Sequence, residues 1–116
     1  MSATITPEYV PRRSDVIWLN FDPQAGHEQA KRRPAVVLSP DAYNAKAGLA
    51  IVCPITSQIK GYPWEVAIPT GLKVAGVILS DQVKSIDWKA RKAEFLCQLP
   101  QPTLGQVFAK LFTLFP

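Results

Sequence analysis

The chain has 116 residues, of which 47% are hydrophobic and 19% charged, with a formal net charge of +4. That length accommodates one domain burying about two-thirds of its unfolded surface, and the composition excludes a disordered chain. No apolar run approaches the ~18 residues of a membrane span, and the modest positive charge fits a polyanionic partner as well as an ordinary basic protein.

In chain order, residues 1–14 read as an extended arm ahead of a single domain over 15–116. The arm has two prolines and no apolar signal core, so a cytoplasmic protein with no membrane contact is expected. DVIWLNFD (Asp15–Asp22) is rich in β-formers and predicts a first strand. Residues 23–32 form a polar loop that ends in the chain's densest cationic run, Lys31-Arg32-Arg33. RPAVVLS (Arg33–Ser39) predicts a second strand, and its four consecutive apolar residues imply burial on both faces. Ser39 as cap, Pro40 at the first helical position and Gly48 as terminator bracket a short helix.

LAIVCPIT (Leu49–Thr56) is a third strand, SQIKGYP a turn-rich connection, and WEVAIP an alternating, half-buried strand. AGVILSDQVKSI (Ala75–Ile86) begins as a buried strand and turns polar at Ser80; after a turn, a last strand falls near Ala93–Gln98. Thr103 with Gln106 predicts a capping box, followed by a stripe of Leu104, Val107, Phe108, Leu111, Leu114 and Phe115 at helical spacing. The sum is a mainly β fold: a twisted antiparallel sheet or partly open barrel with a short internal helix and a C-terminal amphipathic helix packed on one side.

Cys53 and Cys97 each sit in an apolar run and read as reduced core residues. One histidine and two separated cysteines make no zinc site, no carboxylate cluster suggests magnesium, and no glycine-rich loop follows a strand; neither metal nor cofactor is expected. Chemistry here must use Glu, Arg, Thr and neutral polar groups. RNA cleavage suits that inventory, because RNA carries its own nucleophile, the 2′-hydroxyl. The protein need supply a base, a cation beside the phosphate and hydrogen-bond donors. Arg33, Glu28 and Thr56 are the candidates; equally, each reads as a surface arginine before a strand, a solvated loop glutamate and a strand-end threonine. His27 is a loop residue or a substrate contact. DQVKS (Asp81–Ser85) either reads base edges or is a solvated strand end. Trp18 reads as core, whereas Trp64, beside Tyr62 and Pro63, is more open.

DVIWLNFDPQAGHEQAKRRPAVVLSPDAYN, PITSQIKGYPWEV and GVILSDQVKSIDWKAR, in that order, resemble the MazF family of toxin–antitoxin toxins. The resemblance runs from Asp15 to Arg91 and carries the Gly-x-Glu-Gln loop, the Arg-Pro strand start, the Pro-x-Thr strand end and the Asp-Gln-Val-Lys segment. It implies an SH3-like barrel acting as a homodimer, and a sequence-selective, ribosome-independent endoribonuclease of single-stranded mRNA. Glu28, Arg33 and Thr56 become catalytic, while His27, Gln29, Gln58, Asp81, Gln82 and Lys84 become RNA contacts. The partner implied is a MazE-like antitoxin whose acidic, extended C-terminal segment fills the RNA groove. The competing readings are a gyrase-poisoning toxin of the CcdB branch and a non-catalytic RNA-binding module.

Overall fold

The computed structural model describes residues 8–20 and 32–116. Among these, seven strands and two helices follow one another: β1 (Asp15–Asn20), β2 (Arg32–Val37), α1 (Asp41–Ala47), β3 (Ala50–Thr56), β4 (Glu65–Ala67), β5 (Val77–Leu79), β6 (Lys84–Ile86), β7 (Glu94–Gln98) and α2 (Gln101–Phe112). They form one antiparallel sheet in the order β4-β5-β3-β2-β1-β7, with β6 also paired to β3. No helix among the described residues is long and apolar enough to cross a membrane.

The sheet is buried on both sides, and side-chain alternation divides the core in two. Val16, Val36, Cys53, Ile55 and Ile78 face one cluster, which Leu104, Val107 and Leu111 of α2 complete. Ile17, Leu19, Ala35, Val37, Ala50 and Val52 face the other, closed by Ile86 and Trp88 and by Tyr9 and Val10 of the arm. The apolar run of β2 therefore has the two-sided burial its sequence implied, Ala35 through Val37 being wholly inaccessible. Burying the three α2 side chains contributes at most about 5–9 kcal/mol, at ~1.5–3 each.

The arm is strapped down by one buried carboxylate. Asp15 accepts hydrogen bonds from the Tyr9 hydroxyl (2.5 Å), the Arg12 backbone N–H (3.0 Å) and the Gln98 side-chain amide (2.9 Å). Burial, and next the bonded Asp15 carboxylate, push the Tyr9 phenol well above its ordinary range.

Three local expectations are corrected. Pro40 and Pro100 occupy the N-cap positions, neither helix has a side-chain cap, and Thr103 lies buried within α2. The Ser39 hydroxyl serves the core instead, donating to Asn44 Oδ1 (2.5 Å) and accepting from the Ile51 N–H (2.8 Å). Gly48 does end α1, at φ +72°. The segment 75–86 is two strands: between the pairs Ile55↔Ile78 and Ile51↔Ser85, β3 advances four residues and its partner seven, so the chain loops out at the turn closed by Gln82 N–H to Leu79 C=O. The apolar stripe stops with α2, leaving Leu114 and Phe115 exposed.

Candidate active site

Arg33 and Thr56 lie at the polar ends of adjacent strands. The β2–β3 ladder pairs Val37 with Val52, Val36 with Cys53 and Ala35 with Pro54, and ends there, two residues short of Arg33 on β2 and of Thr56 on β3. By side-chain alternation Arg33 lies on the face of Ala35 and Thr56 on the face of Pro54, the pair that closes the ladder. On their other edges, Arg33 pairs with Leu19 of β1 and Thr56 with Val77 of β5.

The two neighbouring arginines have different surroundings because successive strand residues face opposite ways. Arg32 is tied down: its guanidinium donates to Asn20 Oδ1 (2.7 Å) and the Lys92 carbonyl (2.8 Å) and pairs with Glu94 at 3.3 Å. Arg33 is exposed, and among the described residues no partner holds its side chain.

Thr56 is half-buried and fixed from two sides. Its hydroxyl oxygen accepts the Gln58 backbone N–H at 3.1 Å, which leaves the hydroxyl proton available to donate. Behind it, Gly76 packs so closely that a Cβ there would lie 2.2 Å from the Thr56 carbonyl oxygen.

A cavity of about 180 Å³ opens beside Thr56, lined by Gln58, Lys60, Tyr62, Glu65 and Gln82, with Leu79 its one aliphatic side chain. Glu65 opposes Leu79 across β4–β5, on the face that carries Thr56 and Val77. Of the residues singled out in the sequence, Thr56, Gln58 and Gln82 thus meet around one hollow. Asp81 is exposed next to Gln82, and Lys84 pairs with Val52, four residues down β3 from Thr56, or ~13 Å along the strand. Glu28, His27 and Gln29 lie outside the described residues.

Lys60, Tyr62 and Glu65 were missed in the sequence, where SQIKGYP reads only as a connection. The available signal was a cation and an aromatic on either side of a glycine that adopts φ +84°. Trp18 is half-buried rather than core, and Trp88 is the tryptophan that is buried, its indole N–H on the Asn44 carbonyl at 3.0 Å. Both cysteines are free; burial, helped by the Asp81 charge, pushes the Cys53 thiol up to about 12, so it is no nucleophile.

Arg33 and Thr56 thus end neighbouring strands of a small antiparallel sheet, and a hollow lined by two amides, a lysine, a tyrosine and a glutamate opens beside Thr56. Residues 12–115 match the PemK-like, MazF-like toxin family of type II toxin–antitoxin systems. The endoribonuclease toxin MazF of Escherichia coli K12 is 56% identical over 85 residues, 73% of this chain and 76% of that protein. The endoribonuclease PemK of Escherichia coli is 35% identical over 114 residues, covering 90% and 86% of the two chains. The crystal structure of MazF from Deinococcus radiodurans superposes with a TM-score of 0.84 at 53% identity, covering 92% of this chain and 97% of that one. The chain belongs to the PemK/MazF-like family of type II toxins. The match extends past Arg91, where the motifs quoted from the sequence end, to include β7 and α2.

Proposed function

We propose that the chain is a cytoplasmic toxin that cuts single-stranded mRNA, independently of the ribosome and at a preferred sequence, without a metal ion. Glu28 takes the proton of the 2′-hydroxyl, whose oxygen attacks the adjacent phosphorus. The bond to the 5′-oxygen breaks, that oxygen takes up a proton, and the products end in a 2′,3′-cyclic phosphate and a 5′-hydroxyl. Arg33, a permanently charged planar donor, stabilises the charge that builds on the phosphate and assists the leaving group. Thr56 donates its hydroxyl proton to a non-bridging oxygen. His27, Gln29, Gln58, Asp81, Gln82 and Lys84 contact the RNA. The reading includes closure of the sheet into an SH3-like barrel, a homodimer, and inhibition by a MazE-like antitoxin. A MazE–MazF complex from Deinococcus radiodurans, 47% identical to this chain with a TM-score of 0.84, supports that partner.

The observation that supports this reading is that Arg33 and Thr56 both lie just beyond the pair that closes the β2–β3 ladder, with the hollow of Gln58 and Gln82 beside Thr56. The test is cleavage of a long single-stranded RNA in EDTA, with end analysis and mapping of every cut. The parent is expected to leave 5′-hydroxyl ends at a recurring sequence. Arg33→Ala is expected to lose ~10²–10³-fold in rate, the cost of removing one charge-stabilising donor, and to keep its fold. Binding without cleavage favours the RNA-binding module, and gyrase-dependent DNA breaks without RNA cleavage favour the CcdB-like reading.

A further inference from the structure

The segment between β3 and β4 is exposed from Ser57 to Pro63, yet it is held at both ends of its turn by groups outside the Arg33–Thr56 pair. From one side, the two carboxylate oxygens of Glu65 accept the backbone N–H groups of Lys60 and Gly61, each at 3.0 Å, and the Glu65 N–H donates to the Tyr62 carbonyl at 3.1 Å. From the other, α2 reaches across. The Lys110 ammonium donates to the carbonyls of Pro63 (2.5 Å) and Glu65 (3.0 Å), and Thr113 Oγ1 accepts the Trp64 indole N–H at 3.1 Å. Lys60 lies over the Tyr62 ring, 5.9 Å from its centroid, and both line the hollow beside Thr56.

With both oxygens engaged by the backbone, Glu65 is a staple rather than a base, although it lines the cavity. A cation on an aromatic ring, held rigid on an exposed turn, suits a nucleotide: a ring to stack on and a charge for its phosphate. An unsupported turn of this length would have to be ordered each time RNA bound, and a stapled one has already lost that freedom.

We propose that Glu65 and Lys110 are positioning residues for RNA binding, holding Lys60 and Tyr62 as a ledge for one nucleotide next to the cleaved phosphate; this rests on the ribonuclease reading above. The helix that completes the core thereby also sets the geometry of the substrate site.

The test uses full-length protein, a single-stranded RNA with one mapped cut site, and the same oligonucleotide made uncleavable by a 2′-deoxy sugar at that site. Glu65→Gln and Lys110→Met are expected to raise KM, and the Kd of the deoxy analogue, about tenfold, within the range for one stacked base, while kcat stays within about twofold. Lys110→Arg keeps donors on the helix and is expected to restore most of the affinity. Glu65→Gln added to Tyr62→Ala is expected to cost no more than Tyr62→Ala alone, because the staple acts through the ledge. If Lys110→Met fails to fold, Thr113→Val removes the Trp64 bond and the hydroxyl's own bond to the Lys110 carbonyl while leaving the Lys110 ammonium in place, and is expected to weaken binding about twofold to threefold, with kcat unchanged. Parental affinity in the variants, a fall in kcat at constant KM, or additive losses in the double variant would overturn the proposal alone. A parent that neither cuts the RNA nor binds its analogue would overturn the ribonuclease reading as well.

Discussion

Gly76 offers a direct test of how the site is built. Its φ of +117° is one that side-chain-bearing residues rarely adopt, and a Cβ would meet the Thr56 carbonyl oxygen at 2.2 Å, the carbonyl carbon at 2.9 Å and Ser57 Cα at 3.2 Å. All three are main-chain atoms of the strand end that carries the site, so no side-chain rotation relieves the contact. Gly76→Ala therefore combines ~1–3 kcal/mol of backbone strain with ~1–3 kcal/mol of overpacking. The total of about 2–6 kcal/mol is a large share of the ~5–15 kcal/mol that holds a domain together. Gly71 is the control: its φ is +95°, but nothing lies within 4 Å of its Cβ position, so Gly71→Ala carries the strain alone. At roughly 4 °C per kcal/mol, thermal unfolding should place Gly76→Ala at least ~8 °C below the parent and below Gly71→Ala as well. Cleavage should fall with it where the protein remains folded, because the clash displaces Thr56. A Gly76→Ala protein melting within about 2 °C of Gly71→Ala and cutting RNA at the parental rate would refute the reasoning.

Replacing Arg32 and Arg33 one at a time should separate structure from function: Arg32→Ala loses the Asn20, Lys92 and Glu94 contacts and about 1–2 kcal/mol in urea titrations, with cleavage retained, whereas Arg33→Ala loses cleavage at parental stability. Asn44→Ala should cost about 2–4 kcal/mol, measured the same way, since the fully buried amide bonds Ser39 Oγ, the Ser39 carbonyl and the Pro11 carbonyl, and its loss leaves both carbonyls and the Ser39 hydroxyl proton without those partners. Stability should also fall in alkali. Tyr9 and Cys53 both have folded-state values raised above their unfolded ones, so each contribution is complete below its unfolded value and is lost as pH rises. For Cys53 that window runs from about 9 to about 12, and the Tyr9 loss begins above about 10. Unfolding followed from pH 8 to pH 11 should therefore show a decline that Tyr9→Phe flattens at its upper end; an unchanged decline in that variant would remove the Tyr9–Asp15 strap as its cause.

Strand positions were legible because β-branched and aromatic residues cluster in DVIWLN and RPAVV, and two-sided burial followed from the unbroken apolar run of β2. Pairing was not legible, for the same reason. A strand buried on both faces shows no alternation of apolar and polar residues, and alternation is what specifies register from sequence. That Arg33 and Thr56 both lie just beyond the Ala35–Pro54 pair could therefore come only from the ladder. The caps failed for a different reason. Ser39 and Thr103 are good cap residues in isolation, but prolines at 40 and 100 already hold the extended φ a cap needs, and the Ser39 hydroxyl is required by the buried Asn44 and Ile51 groups. Glu65 was assigned to the solvent side of WEVAIP, which is right for a strand and silent about a carboxylate that turns back on the two residues preceding the turn.

The site sits where the sheet divides. Among the described residues β3 is the strand with three partners: β2 along its middle on one edge, and on the other β5 near Thr56 and β6 near Ala50. The residues looped out between β5 and β6 bring Gln82 back to the Thr56 end, and the turn before β4 brings Gln58 and Tyr62 to the same place. Two connections thus converge on Thr56, the last residue of β3. Loops tolerate change in side chain, whereas Thr56, pinned by the Gln58 amide and by Gly76, does not move with them. On the proposed function, such an arrangement would let the residues assigned to RNA contact vary while the geometry of Thr56 stays fixed, which is the physical condition for one fold to cut at different sequences.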